Sequence, residues 1–515
     1  MADRKHLFGT SEKSDFIVNL SDAGTKKLCA MYCIIAMIIV ELAALPYYLT
    51  RDVLDYVDIN DGIELKHFWS EKVIYWVTVL MFGIGILGFC IFLIGRMKKQ
   101  YDLTKNKPLI LLVAITALSL ISALVSNDVA SAMTGYLDRA EGMLTLIGYY
   151  GFFAAAFTIT GDGWRKRVCG VLVGLGALNA AVGLLQLTSP FRKICLFDEL
   201  HISFTKVYPV PTSSGLSITP HSLAAMMTVC FAAALAAIAF DKRLIVKLLS
   251  GGAAILMTAA GVCTRTVTFL IGFGAAALFM LIIAAVYAAK ADKTASEGEE
   301  AGEASDGQEP AAKVSGRSVI ISLLCGVIAV CGAAAAVFAV NASAYPESDG
   351  YLTFYDEEII RTDSIRMNML LRKQENYIED WIYPYLWEDG LYAAEQNIPF
   401  GTGPDNWVQI SRAGLSIDRS YNEYIDIAMQ RGYGTLVLYA VFLLITFVKA
   451  FGALASFIRG EVGWAAPAVS CAVFAYSVQA FFNISALTNT PFFFLCVGLV
   501  WSYTAMGKKK RAKTK

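Results

Sequence analysis

Runs of mainly apolar residues, each about 20 long, recur along this chain and restrict it to one kind of fold. A run of that length crosses a bilayer as a helix, which satisfies its own backbone hydrogen bonds where no water is present. Twelve such runs can be counted, near residues 28–49, 73–95, 109–126, 142–161, 168–188, 221–240, 248–264, 266–289, 318–342, 434–450, 463–483 and 490–506. Composition agrees. The chain is 56% apolar with a mean hydropathy of +0.54, and 17% of its residues are charged, against about 25% in soluble domains.

Lysine plus arginine and aspartate plus glutamate each total 43, so the net charge is zero. The basic residues sit beside apolar runs, and a balanced chain of this kind does not read as a nucleic-acid binder. The eleven cysteines show no regular spacing and all but Cys195 lie in or beside apolar runs, which argues against a disulfide framework or a zinc site. The first 27 residues are polar and the first apolar run is long enough to span, so no cleavable signal peptide is expected.

Basic clusters orient the spans. Lys26/Lys27, Arg96/Lys98/Lys99, Arg165/Lys166/Arg167, Lys242/Arg243/Lys247 and the KKKRAKTK tail fall on one side, which is assigned to the cytoplasm together with both termini. The expected fold is an all-α polytopic membrane protein with about 12 transmembrane helices and one long extracytoplasmic loop containing short helices. A cytoplasmic segment (1–27) leads into helices 1–8 (28–289). An acidic, low-complexity stretch (290–317) reads as a disordered cytoplasmic linker, because it offers little apolar surface to offset ordering. Helix 9 (318–342), the extracytoplasmic loop (343–433), helices 10–12 (434–506) and a basic tail (507–515) complete the chain.

The end of that loop, Pro399–Gly434, holds the densest candidate chemistry. Gly401-Thr402-Gly403-Pro404 suits a sharp turn whose N–H groups could cradle an anion, or a plain tight turn. Ser420 to Glu423 has the spacing of a capping box, with Ser420 as N-cap and a helix running to Arg431 before Gly432. Tyr421 and Asn422 would then lie in the first turn, where a phosphate is favoured by the helix dipole. Ionisable residues at or within the membrane are costly and often functional, which singles out Arg265 between two spans, and Arg139 with Glu141 at the start of the fourth. His221, after Thr219-Pro220, is expected to face water at a helix start.

These residues resemble the O-antigen ligase and polymerase superfamily. That family's loop carries a tryptophan, about fourteen residues later a P-x-G-x-G-P turn, then H-N-x-Y and a glycine before the next span. Here Trp387, Pro399 to Pro404, Tyr421-Asn422-Glu423-Tyr424 and Gly432 stand at those places, with support from Arg139-Ala140-Glu141-Gly142 and Arg265. The resemblance covers roughly residues 109–500. It departs at Tyr421, where the family has histidine, and at Tyr383, where it has arginine.

The resemblance implies a bacterial cytoplasmic-membrane glycosyltransferase that ligates or polymerises polyprenyl-diphosphate-linked surface polysaccharide without a metal or other cofactor. Its partners would be the lipid-linked glycan, a glycan or lipid acceptor, membrane lipids and other polysaccharide-assembly proteins. Tyr421, Glu423 and Asp405 would be the catalytic candidates. Arg265, Arg139, Glu141, Trp387, Gly401, Gly403, Pro404 and Asn422 would bind substrate. Two other readings fit the same chain: a transporter or flippase for lipid-linked sugars, and a catalytically silent relative that binds lipid-linked glycan.

Overall fold

A computed structural model describes residues 21–42, 63–101, 103–135, 140–187, 213–217, 219–300, 315–344, 383–406, 409–410, 416–417 and 419–504. The chain is an all-α, multi-pass membrane protein. Its helices are α1 (Asp22–Leu42), α2 (Ile63–Met97), α3 (Ile110–Val125), α4 (Val129–Thr134), α5 (Met143–Phe157), α6 (Asp162–Leu185), α7 (Pro220–Phe240), α8 (Leu244–Thr264), α9 (Val267–Glu300), α10 (Gly316–Ala344), α11 (Tyr383–Gln396), α12 (Glu423–Ile458), α13 (Ala465–Gln479) and α14 (Thr490–Thr504). Ten described helical segments are long and apolar enough to cross a membrane, and α5 and α14 are two shorter apolar helices. Together they correspond one for one to the twelve apolar runs of the sequence. The only described strands are a two-residue antiparallel pair, Gln409–Ile410 with Ser416–Ile417.

α7 is the axis of the bundle. Every one of its residues is buried, against α6, α8, α9, α10, α13 and α14. Its sequence explains this: with eight alanines among 21 residues it has no bulky stripe on any side, so neighbours approach from all directions. A second close approach joins α2 to α5. A Cβ on Gly88 would lie 2.3 Å from the Gly151 carbonyl oxygen, and one on Gly151 would lie 2.4 Å from the Gly85 Cα, so glycine is required at this crossing. Outward faces remain apolar, as at Leu87, Val113, Leu248 and Leu444, which suits contact with lipid chains.

The basic clusters around residues 162–167 and 241–246 meet at one end of the bundle. They line a cleft of about 1310 Å³ with Glu461, Gly463 and Trp464, in which Asp162 pairs with Lys166 at 3.2 Å and Asp241 with Arg243 at 3.2 Å. The loop residues gather at the opposite end. α9 does not stop near residue 289 but continues helically to Glu300, through the first residues of the expected linker. Alanine, lysine and glutamate in KADKTASEGEE favour a helix enough to extend it beyond the apolar run. The expected linker residues 301–314, the first 20 residues, the first part of the loop (345–382) and the basic tail lie outside the described residues.

Candidate functional site

The end opposite the basic cleft is assembled from five stretches far apart in sequence: residues 140–142 before α5, 213–217 and 219–222 into α7, the α8–α9 turn, the described loop residues from Tyr383 to α12, and the strap between α13 and α14. A buried ionic lock joins four positions there. Arg419 lies 3.3 Å from the Glu141 carboxylate and 3.9 Å from that of Asp405. It also donates to the Ser485 carbonyl at 2.6 Å. Glu141 accepts from the hydroxyls of Tyr149 (2.9 Å) and Ser485 (3.0 Å), and its N–H donates to Asp405 at 3.1 Å. Arg419, Glu141 and Asp405 are each buried. Burial pushes the Glu141 carboxyl up, the Arg419 guanidinium pulls it back down, and the neighbouring Asp405 charge adds to the rise. Two carboxylates sharing one cation out of water fix the frame of the site rather than offering a free base. Glu141 and Asp405 therefore read as framing groups. Arg419, which no sequence motif singles out, is the centre of the lock.

The Gly-Pro turn also has a structural task. The N–H groups of Gly401, Thr402 and Gly403 donate to the carbonyls of Asn397, Met429 and Gln430, at 2.8, 3.1 and 2.9 Å. An anion cradle at Gly401 and Gly403 is thus ruled out by donors already spent, and Pro404 has no N–H to add. The turn instead covers the end of the first segment of α12, where Gly432 takes φ 81° and breaks the helix before the span resumes. A Cβ on Gly401 would lie 2.5 Å from the Gln430 carbonyl carbon, and one on Gly432 would lie 2.0 Å from the Pro399 oxygen. The glycines of the motif are conditions for turn and helix to touch.

The start of α12 differs from the capping box by two residues. Asn422 is the N-cap, accepting from the N–H of Tyr424 (3.0 Å) and Ile425 (3.2 Å). Ser420 donates through its N–H (2.8 Å) and hydroxyl (2.7 Å) to Asp426, one turn inside the helix. The carboxamide of Asn422 has the shorter reach to the first donors and takes the cap, leaving Ser420 to Asp426. Two of the first-turn donors, the N–H groups of Tyr424 and Ile425, are therefore satisfied within the protein and are not open to a phosphate beside Asn422. Glu423 accepts from the Tyr476 hydroxyl at 2.7 Å, deep between α12 and α13.

Tyr421 itself is 2% exposed, with its backbone in the left-handed region at φ 52°. It packs with Tyr383, Leu386 and Ile484, while Trp387 and Phe482 close the cluster. His221 meets it edge-on, with ring centroids 5.2 Å apart and planes at 62°. This histidine is fully buried, not exposed to water as expected. Thr219 caps α7 by accepting from the Ser222 N–H at 3.1 Å, and Pro220 occupies the first helical position, so His221 is fixed in the first turn of the axial helix. Sequence offers no route to this pairing, since 200 residues separate the two rings.

Arg265 ends α8 at φ 55°, buried, with Thr264 and Thr266 hydroxyls 3.0 Å apart on either side. Its loop is tied to the strap by Thr268, which donates to the Phe482 carbonyl at 2.7 Å. Phe482 in turn stacks near Trp387 and Tyr383. Arg139 lies outside the described residues. Five described non-glycine residues have positive φ, and four of them, Ala140, Arg265, Asp405 and Tyr421, are at this end of the molecule. Each such residue costs roughly 1 kcal/mol or more, and strain of this kind collects at functional sites. No protein-family model matches the chain, and no curated protein matches it in sequence.

Proposed function

We propose that this protein is an integral-membrane glycosyltransferase that transfers a polyprenyl-diphosphate-linked glycan at the extracytoplasmic face of a bacterial cytoplasmic membrane, in the manner of O-antigen ligases and polymerases. The observation that carries the reading is the burial of His221 against Tyr421. The resemblance asks for an imidazole at position 421, and the fold brings one to that position from another helix.

In this reading the acceptor hydroxyl attacks the anomeric carbon, its proton passes to His221, and the glycosidic C–O bond to the diphosphate breaks. The leaving diphosphate keeps the electron pair, and Arg265 faces its growing charge. Imidazole is the side chain suited to accept a proton near neutrality, whereas a phenol ordinarily titrates near 10. Tyr421 is accordingly a positioning residue that holds the imidazole by its ring and shapes the entry for the acceptor. Glu141, Arg419 and Asp405 keep the segments in register.

The test is extension or ligation of lipid-linked glycan by purified protein in liposomes. His221→Gln and Arg265→Ala should each lower turnover by at least about a hundredfold, the usual scale for a general base or an oxyanion-stabilising group. Tyr421→Phe, which keeps the ring, should retain most of it. Transport of lipid-linked sugar across the bilayer without glycan extension would replace this reading with that of a flippase.

A further inference from the structure

The end of α13 and the strap that joins it to α14 are densely bonded except at three side chains. Phe482 is held by Thr268 and Ser485 by Arg419 and Glu141, while Asn489 accepts from the Ala486 N–H at 2.8 Å and donates to the Ile484 carbonyl at 3.1 Å. Gln479, Asn483 and Thr488 stand out against that background. They are 0%, 0% and 1% exposed, yet among the described residues neither end of either carboxamide nor the threonine hydroxyl has a hydrogen-bond partner. The indole Nε1 of Trp387, whose ring packs on Phe482 within the same strap, is likewise buried without an acceptor. A buried carboxamide left this way costs free energy that nothing in the fold returns. Such groups persist where a polar guest completes them.

The chemistry of the four groups defines the guest. All are neutral, so they do not select an ion. A carboxamide presents a donor and an acceptor side by side, which matches vicinal hydroxyls, and an indole beside them suits the mixed polar and apolar surface of a sugar ring. Their place on the strap matters too. It runs from the turn that bears Arg265, past Tyr421 through Ile484, to the Arg419 lock. Resting on the glycosyltransferase reading above, we infer that Gln479, Asn483, Thr488 and Trp387 form the subsite that grips the hydroxyl-rich glycan next to the diphosphate.

The experiment compares wild type with Gln479→Met, Asn483→Leu and Thr488→Val, each extracted with its native lipids into polymer nanodiscs. Mass spectrometry then measures the co-purified polyprenyl diphosphates with and without sugars, and melting is recorded separately in lipid-free detergent. The expected result is a sugar-bearing to sugar-free ratio reduced on the order of tenfold per variant, with melting unchanged or higher because an unpaired buried group has been removed. Lower melting with an unchanged ratio would overturn the subsite and assign the three groups to ordered water. Wild type carrying neither lipid would overturn the glycosyltransferase reading itself, whereas both lipids bound at unchanged ratios would sink the subsite alone. If Asn483→Leu does not fold, Asn483→Ala, which leaves room for water, must show the same loss of ratio.

Discussion

Removing Arg419 tests the ionic lock directly. In Arg419→Met the stem is kept while the guanidinium is lost, so the two contacts at 3.3 and 3.9 Å to Glu141 and Asp405 disappear together with the 2.6 Å bond to the Ser485 carbonyl. Two carboxyls then remain buried with no cation between them, a situation that costs about 3–5 kcal/mol. The stranded Ser485 carbonyl falls within that range as one part of it, on the order of 1 kcal/mol. The loss should depend on pH. Burial holds the Glu141 carboxyl above its ordinary value, so the folded protein keeps that proton more tightly than the unfolded chain. The stability tied to it is full below about pH 4.3 and declines as pH rises toward the raised folded value. Without Arg419 the main opposing influence is gone, so the decline should be steeper and reach higher pH in the variant. Adding Glu141→Gln removes one of the two charges and should recover about 1–3 kcal/mol, with a flatter pH profile. Thermal unfolding in detergent from pH 4 to 8 measures all three proteins. An Arg419→Met protein that melts like wild type at every pH, or a double variant no more stable than the single, would refute the lock.

Three further outcomes are expected. Gly432→Ala places a Cβ 2.0 Å from the Pro399 oxygen at φ 81°, so it should destabilise by at least about 2 kcal/mol and reduce protein recovered from membranes. Asn422→Ala removes both cap bonds of α12 and should cost about 1 kcal/mol, while Asn422→Asp should restore it; melting temperatures compare the two. Ser485→Ala takes one hydroxyl from Glu141 but leaves the carbonyl that Arg419 uses, so melting should fall by about 1 kcal/mol, well short of Arg419→Met.

The spans were legible because hydrocarbon demands a long apolar run wherever the chain crosses it, and each of the twelve runs became a helix. The special backbone of the loop was legible, and the task it performs was much less so. Gly401, Gly403 and Gly432 announce special backbone, but nothing local says that the turn's donors are spent on Met429 and Gln430, about 27 residues away. At the helix start the sequence offers two good caps in succession, and only the positions of Asp426 and the first free donors decide between Ser420 and Asn422. At His221 the Thr219-Pro220 start marks the helix but not the burial, and Arg419 carries no local signal. Their meaning comes from pairing with Tyr421 and with Glu141, across separations that hydropathy does not encode.

The complete enclosure of α7 has a consequence for the setting of the proposed reaction. A helix that touches no lipid does not tilt or slide to match the bilayer, because mismatch acts on the outer helices that meet the acyl chains. His221, in its first turn, is therefore held at a height above the membrane midplane set by protein neighbours alone. On the proposed glycosyltransferase reading, turnover should then be insensitive to acyl-chain length across bilayers that the peripheral helices tolerate, even though the proposed donor is a lipid.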